Sequence, residues 1–326
     1  MVEMVREVLE NSFVEQYYNQ AHSIIPQVNQ EDDPKYNEKK ELIKECQEIV
    51  GTTHSEKPPL NIAIIGLPGG GKSSLLNTIF ASFSTDRWKD VVQFGSFGTL
   101  DKQFTTRFKS FTKDVYYKPT DTYLMPTFLD MTGFEDDDSA NTLALLELVF
   151  AGKIRENEEL TRAKKFGFNY FIRMGVCHRP VDRIIVVCTS NPNVNLPTSF
   201  FNAVWKAKKK HTEIPVYGVM TFRDKYPPDN ERVKVKIEEF RMCLALPQYR
   251  FAHIINYCDD IDSRGVHITT TIPSLDVPVL HFMKQVLNPR QDDPRKKHDR
   301  KMDILSIFAF IFAVLAFIYV LLISNR

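Results

Sequence analysis

The sequence predicts an α/β fold in which a mostly parallel β-sheet is covered by helices on both faces. Five short apolar runs are separated by longer amphipathic segments, and they read LNIAIIG, TFLDMTG, DRIIVVCTS, IPVYGVMT and AHIINY. Runs of this kind are typical of strands buried on both faces, and parallel strands need crossover helices between them. The chain has 326 residues, of which 43% are hydrophobic and 25% charged, so it is long enough to bury one large core or two small ones.

Residues 1–58 are predicted to form N-terminal helices that pack on the following domain. Apolar side chains recur at helical spacing at Leu42, Ile43, Cys46 and Ile49, and the KPP segment before Leu60 ends the helical pattern. The first residues, MVEMVREVLENSF, include acidic residues and no continuous apolar stretch. A secretory signal is therefore not expected.

Charge and cysteine content exclude several classes of site. A formal net charge of +1 gives no reason to expect a nucleic-acid partner. The five cysteines form no CxxC pair, so neither a zinc site nor a disulfide framework is indicated. The basic run KAKKKH, residues 206–211, is interpreted as a solvated helix face.

The first apolar run leads into a glycine-rich phosphate-binding motif, GLPGGGKSS, and a predicted helix, SSLLNTIF, follows it. Glycines let backbone amides turn toward phosphate oxygens, the lysine reaches the β and γ phosphates, and the first serine binds Mg²⁺. The alternative is a plain glycine-rich turn. The predicted phosphate-binding residues are Gly66, Gly69, Gly70, Gly71, Lys72, Ser73, Ser74 and, from the next motif, Gly133.

The second apolar run ends in Asp130 and, three residues later, Gly133. An aspartate delivered by a strand beside the phosphates can hold the metal, and the glycine can offer its amide to the γ-phosphate. A switch threonine should close over the metal, and Thr99, Thr105 and Thr106 are the candidates. Thr105 or Thr106 is favoured, and the predicted metal ligands are Ser73, Thr106 and Asp130.

The base is expected to bind after the later strands. Thr221 and Asp224 follow the run VYGVM, and a carboxylate there can accept both the N1 and N2 hydrogens of guanine, which favours GTP over ATP. The alternative is an aspartate that caps a turn. Asn256 follows the last apolar run, where a further base contact could form.

The C-terminal residues 304–324, ILSIFAFIFAVLAFIYVLLIS, carry no charge. About 20 such residues span the hydrocarbon core of a bilayer, so they predict a transmembrane helix. The basic linker of residues 291–303 precedes this span and only Asn325 and Arg326 follow it, which predicts a tail anchor with the rest of the chain in the cytosol. The linker should attract anionic lipid. The endoplasmic reticulum fits this tail better than the mitochondrial outer membrane.

In their order along the chain, the segments GLPGGGKSSLLNTIF, FLDMTGFE, AGKI, DRIIVV, TFRD and INY resemble the interferon-induced protein 44 family. The resemblance implies a P-loop, Ras-like G domain over residues 59–290, GTP or GDP with Mg²⁺ as ligands, and a role in innate immunity. Two features depart from that pattern. Phe222 stands where the [NT]KxD motif of GTPases has lysine, and the hydrophobic tail is not general in the family.

Hydrolysis is expected to be slow. Ras-like enzymes orient the attacking water with a glutamine just after the second motif, and this chain has Phe134 there, followed by the acidic run of residues 135–138. That run could supply a water-orienting group, or it could be a solvated loop; a partner or a second copy of the G domain could supply one too. The leading hypothesis is a tail-anchored GTP-binding switch with weak GTPase activity. A non-catalytic membrane scaffold with bound nucleotide and a membrane ATPase are the alternatives.

Overall fold

In a computed structural model of the chain, the described residues are 30–54, 58–85, 91–92, 107–117, 121–131, 133–160, 179–257 and 270–288. The chain divides into two compact units, Met1–Leu287 and Asn288–Arg326, and all the helices and strands described below belong to the first. The predicted linker and tail anchor, and the predicted helix near the N-terminus, lie outside the described residues. No helix among the described residues is long and apolar enough to cross a membrane.

Seven helices and six strands alternate along the described part of the chain. They are α1 (Tyr36–Val50), β1 (Asn61–Gly66), α2 (Lys72–Phe83), β2 (Lys109–Phe111), α3 (Lys113–Tyr116), β3 (Thr127–Asp130), α4 (Ala140–Phe150), β4 (Arg183–Thr189), α5 (Thr198–Lys208), β5 (Val216–Thr221), α6 (Glu231–Cys243), β6 (Phe251–His253) and α7 (Pro273–Leu287). Two short 3₁₀ turns, Gln30–Asp32 and Gln248–Arg250, complete the set.

The six strands form one sheet in the order β2-β3-β1-β4-β5-β6. Only β2 is antiparallel to its neighbour, β3, and every other pair is parallel. The predicted α/β fold with a mostly parallel sheet is therefore confirmed. Each of the five apolar runs contributes a strand, although the last strand is shorter than its run and stops at His253. The edge strand β2 carries no long apolar run and was not predicted.

Helices cover both faces of the sheet, so there is a hydrophobic core on each face. Successive side chains along a strand point alternately into one core and the other. In β1, Ile62 and Ile64 face one core, whereas Ala63 and Ile65 face the other. The first core also contains side chains of α1, α2 and α7, and the second contains side chains of α4, α5 and α6. Strands that are buried on both faces need apolar residues at every position, which explains the continuous apolar runs in the sequence.

Helix α1 packs against α7. Its buried stripe comprises Lys39, Leu42, Ile43 and Cys46, which recur at helical spacing. At the start of α7, the carboxylate of Asp33 accepts hydrogen bonds from the amide and the hydroxyl of Ser274. The helix before the first strand is thus an integral part of the first compact unit.

Candidate nucleotide-binding site

The glycine-rich loop lies at the carboxyl edge of the sheet, between the end of β1 and the start of α2. Strand β1 is followed by α2 on one face of the sheet, and its neighbour β4 is followed by α5 on the opposite face. Open α/β sheets bind ligands in the crevice at such a point, outside the carboxyl ends of the strands. The position of the loop is therefore the one that a ligand site in this fold requires.

Two glycines of the loop are required by its geometry. A Cβ atom on Gly66 would lie 2.2 Å from the carbonyl oxygen of Val187 in β4, so no larger residue fits there without a backbone shift. Gly71 caps α2 with a left-handed φ of 85°, and a Cβ atom on it would lie 3.0 Å from the hydroxyl of Thr221. The helix N-terminus directly after Gly71 leaves amide groups that favour an anion.

Side chains from the end of β5 and from the segment after β6 hold the backbone of the glycine-rich loop. The hydroxyl of Thr221 donates to the carbonyl oxygen of Gly70 at 2.9 Å, and the side-chain amide of Asn256 donates to the carbonyl oxygen of Gly71 at 3.4 Å. Both side chains are buried. The structure therefore brings these two predicted base-binding residues to the phosphate loop. Their assignment to the base stays a prediction.

Lys72 and Asp130 are buried charges at the centre of the site. The ammonium group of Lys72 donates to the carbonyl oxygen of Leu67 at 2.9 Å, so it joins the start of α2 to the beginning of the glycine-rich loop. Burial lowers the pKa of Lys72 to about 8, although the charge of Asp130 opposes the shift. Burial likewise raises the pKa of Asp130 to about 6, and the charge of Lys72 opposes the shift. Because removing charges from water is costly, a bound anion would stabilise the charged form of Lys72, and a bound cation would stabilise that of Asp130.

The residues present fit a magnesium ion. Neither carboxylate oxygen of Asp130 has a hydrogen-bond partner within the described part of the chain, although both oxygens are buried. A buried carboxylate of this kind suits a hard cation that prefers oxygen ligands. The hydroxyl of Ser73, in the first turn of α2, is half-buried and can supply a second ligand. Thr106, the third predicted ligand, lies outside the described residues, as do Thr99 and Thr105.

The second motif packs directly on the loop. A Cβ atom on Gly133 would lie 2.4 Å from the backbone nitrogen of Pro68, so glycine is needed for this close approach. The amide of Phe134 donates to the carbonyl oxygen of Gly66 at 3.1 Å. The two predicted phosphate-binding segments thus meet in the structure, as their positions after adjacent strands β1 and β3 predict.

Phe134, at the position of the water-orienting glutamine, points into the core. Its side chain is 1% exposed and stacks on Phe200 of α5, with ring centroids 5.1 Å apart. In the acidic run that follows, Asp136 accepts a hydrogen bond from the amide of Phe200, and Asp138 forms an ion pair with Lys206. The run is largely exposed, and these contacts occupy two of its carboxylates, which favours the interpretation of the acidic run as a solvated loop.

The segment after β5 has an unusual backbone. Phe222, which replaces the lysine of the GTPase motif, adopts a left-handed φ of 64°, and its carbonyl oxygen accepts hydrogen bonds from the amides of Lys225 and Tyr226. The amide of Arg223 donates to the carbonyl oxygen of Ile254, which ties this turn to the segment after β6. Asp224 is exposed at the tip of the turn, where its carboxylate is accessible to a ligand.

Several residues that shape the site were not predicted from the sequence. The hydroxyl of Ser190 donates to the carbonyl oxygen of Thr221 at 2.6 Å, and the hydroxyl of Thr78 lies 3.3 Å from Oδ1 of Asn256. Short hydroxyl side chains after strands and within helices give no distinctive pattern. Lys39 and Asp276 form a buried ion pair between α1 and α7. Lys39 does leave a signal, because it is a charged residue in the apolar stripe of α1.

Comparisons with known proteins identify no family for this chain. No family model matches the chain, and no curated protein matches it. Among solved structures, a variant of Era from Aquifex aeolicus, bound to GDP and AlF4⁻, has a TM-score of 0.37 and 17% identity. The match covers 71% of this chain and 57% of Era, so this chain spans little more than half of Era's length.

A second solved structure is a probable GTP-binding protein, engB. It has a TM-score of 0.34 and 13% identity, and the match covers 69% of this chain and 99% of that protein. At TM-scores below 0.5, neither likeness carries an argument about the function of this chain. The resemblance to the interferon-induced protein 44 family stays a prediction.

Proposed function

We propose that the protein is a GTP-binding switch with a P-loop, Ras-like G domain. The observation that carries the proposal is the meeting of four elements at the carboxyl edge of the sheet: a glycine loop that tolerates no side chain at Gly66, a helix N-terminus, the buried Lys72 and the buried carboxylate of Asp130. Backbone amides and Lys72 would bind the phosphates. Ser73 and Asp130 would hold Mg²⁺, which when bound neutralises phosphate charge.

Guanine is the proposed base because Asp224 lies exposed in the turn after β5. A carboxylate there accepts two hydrogens from guanine, whereas adenine offers no matching pair. The ring of Phe222 can stack on a base in place of the missing lysine. The ATPase alternative predicts the opposite preference, so competition between the two nucleotides separates them.

The test is nucleotide binding by the full-length protein in a mild detergent, with fluorescent GTP displaced by GTP or by ATP. We expect GTP to compete far better than ATP and Lys72→Ala to weaken binding at least about tenfold, since a charged contact to phosphate is lost. Lys209→Ala, an exposed lysine at the end of α5, is the matched control and should bind normally. Equal binding by Lys72→Ala and the unmodified protein would show that the loop is not a phosphate site.

Slow or absent turnover is part of the proposal. Phe134 is packed against Phe200, and Asp136 and Asp138 are engaged with α5, so these residues are not placed to orient a water molecule. This observation also favours the second candidate, a scaffold that keeps nucleotide bound for stability. Single-turnover hydrolysis at increasing protein concentration distinguishes the two. A rate that rises with concentration indicates that a second copy completes the site, whereas no turnover at any concentration indicates the scaffold.

Membrane attachment through residues 304–324 is proposed from the sequence alone. The uncharged length of this segment and the basic linker before it support a tail anchor that faces the cytosol, with the endoplasmic reticulum as the proposed membrane. A chain that ends at Lys301 should leave the membrane fraction on centrifugation, whereas the full chain should stay in it. A truncated chain that still sediments with membranes would contradict the anchor. The role in innate immunity rests on the family resemblance only.

A further inference from the structure

Behind the glycine loop, a chain of buried polar contacts runs to helix α1. The amide of Tyr257 donates to the hydroxyl of Thr78 in α2 at 2.9 Å, and the Tyr257 hydroxyl donates to Oδ1 of Asp276 in α7 at 2.9 Å. Oδ2 of Asp276 lies 2.8 Å from the ammonium group of Lys39 in α1. The side chains of Lys39 and Asp276 are 2% and 0% exposed. We refer to Lys39, Asp276 and Tyr257 as the buried cluster.

The cluster connects to the loop through the residue next to Tyr257. Asn256 donates to the carbonyl oxygen of Gly71 at 3.4 Å, and Thr78 lies 3.3 Å from its Oδ1. The backbone of Tyr257 is thus held beside Asn256, which contacts Gly71, the residue that caps α2. The backbone amide of Leu75 also donates to that Gly71 carbonyl, at 2.8 Å.

Stability alone does not explain the buried cluster. Replacing a buried ion pair with apolar residues of similar volume is often neutral or stabilising, because the pair must overcome the cost of losing water. A second ion pair between α1 and α7, from Lys284 to Glu45, is partly exposed, so its charges keep much of their contact with water. The ion pair with Lys39 instead holds the Asp276 carboxylate in one position, and that carboxylate accepts the hydrogen bond from the Tyr257 hydroxyl.

We propose that α1 is a brace for the nucleotide site, and that Lys39 acts through Asp276 and Tyr257 as a positioning residue that slows nucleotide release. A partner or a conformational change that moves α1 away from α7 would break the buried cluster. The segment at Asn256 would then lose its support, and the nucleotide would be released. This inference rests on the proposed nucleotide-binding function. It assigns regulation of that site to the helix that precedes the first strand.

The first experiment measures the release of a fluorescent GDP analogue, mant-GDP, from the full-length protein in detergent after addition of excess GDP. Lys39→Met keeps the length of the side chain and removes its charge, so Asp276 loses its ionic partner. We expect release to accelerate on the order of tenfold, since a hydrogen bond to a charged group is disturbed. The matched control is Lys284→Met, which breaks the exposed ion pair between the same two helices and should leave the release rate unchanged.

A second pair of variants separates positioning from folding. Tyr257→Phe removes only the hydroxyl, and Lys39→Met combined with Asp276→Leu replaces the buried charges with apolar side chains. We expect the double variant to regain the melting temperature of the unmodified protein while release stays fast. The Tyr257 hydroxyl keeps the Ile272 carbonyl oxygen as an acceptor at 3.3 Å but has lost the Asp276 carboxylate that connects it to α1. If release and melting temperature recover together, or if Tyr257→Phe releases mant-GDP at the normal rate, the brace is wrong.

Failure of the proposed nucleotide-binding function can be distinguished from failure of the coupling between α1 and the loop. If the unmodified protein shows no Lys72-dependent binding of mant-GDP, the nucleotide proposal is wrong, and hydrogen exchange in the nucleotide-free protein then tests the coupling. The reporter is the amide of Leu75, which donates to Gly71. Faster exchange in Tyr257→Phe than in Lys284→Met would support the coupling between α1 and the loop, and equal exchange would overturn it.

Discussion

The hydroxyl of Thr221 donates a hydrogen bond of 2.9 Å to the carbonyl oxygen of Gly70, so the end of β5 holds the glycine loop that follows β1. The two residues are 151 positions apart in the sequence, and the donor is fully buried. Because the peptide bond is planar, holding the Gly70 carbonyl also fixes the direction of the Gly71 amide. The loop is therefore positioned by the sheet and by its own glycines together.

Replacing Thr221 with valine should weaken nucleotide binding. The substitution keeps the shape of the side chain but removes the donor, so the buried Gly70 carbonyl loses this hydrogen bond at a cost of about 1–2 kcal/mol. If the cost falls mainly on the bound conformation, the dissociation constant rises about tenfold. Titration with mant-GDP measures it. Thr212→Val, at an exposed position before β5, is the control, and similar constants for the two variants would contradict the prediction.

Alanine at Gly66 should destabilise the protein far more than alanine at Gly69. Both glycines have positive φ, but a Cβ atom on Gly66 would lie 2.2 Å from the backbone of β4, whereas one on Gly69 would meet nothing within 4 Å. We expect a loss of about 3 kcal/mol or more for Gly66→Ala and about 1–2 kcal/mol for Gly69→Ala. Thermal unfolding without nucleotide measures both. Equal losses would mean that the close approach to Val187 can relax.

The sequence was sufficient for features that depend on local pattern. The apolar runs predicted the parallel strands, because strands buried on both faces are apolar at nearly every position. The spacing of Gly66, Gly71 and Lys72 located the loop, because phosphate binding requires those residue types at that spacing. Strand β2 was missed because its three residues, Lys109–Phe111, are too few for a periodic pattern and are paired on one edge of the sheet.

Contacts between distant segments could not be predicted. The ammonium group of Lys39 donates to the hydroxyl of Thr271, which is 232 residues away in the sequence. The position of Lys39 within an apolar stripe suggests that it has a buried partner, but nothing in a single sequence indicates which residue that is. Similarly, Phe134 was recognised as unable to orient water, whereas its packing against Phe200 depends on how α5 lies on the sheet.

Introducing the missing glutamine, Phe134→Gln, should not restore hydrolysis. The side chain at this position occupies the core beside Phe200, so the new amide would be buried without its water partners. We expect a loss of stability of about 3 kcal/mol or more and no increase in the single-turnover rate. Phe134→Leu keeps the site apolar and should cost about 1 kcal/mol. A faster rate in the glutamine variant would show that this segment rearranges when nucleotide binds.

His253 should make the protein less stable at mildly acidic pH. Neither ring nitrogen has a hydrogen-bond partner within the described residues, and both are inaccessible to water. Burial, together with the charge of Arg223, lowers the pKa of His253 from 6.5 to about 4. Between pH 4 and pH 6.5, the unfolded chain binds a proton at His253 that the folded protein does not bind. The contribution of neutral His253 to stability is therefore complete above pH 6.5 and is lost as the pH falls through about 4.

The measurement is the melting temperature of His253→Phe and of the unmodified protein, at intervals from pH 7 to pH 4. Phenylalanine fills a similar planar volume and cannot take up a proton, so we expect its melting temperature to fall less steeply with decreasing pH. His281→Gln removes an exposed histidine that pairs with Glu38 on the outer side of α7, and it should retain most of the original slope. Parallel curves for His253→Phe and the unmodified protein would show that another group, and not His253, sets the acid sensitivity of the fold.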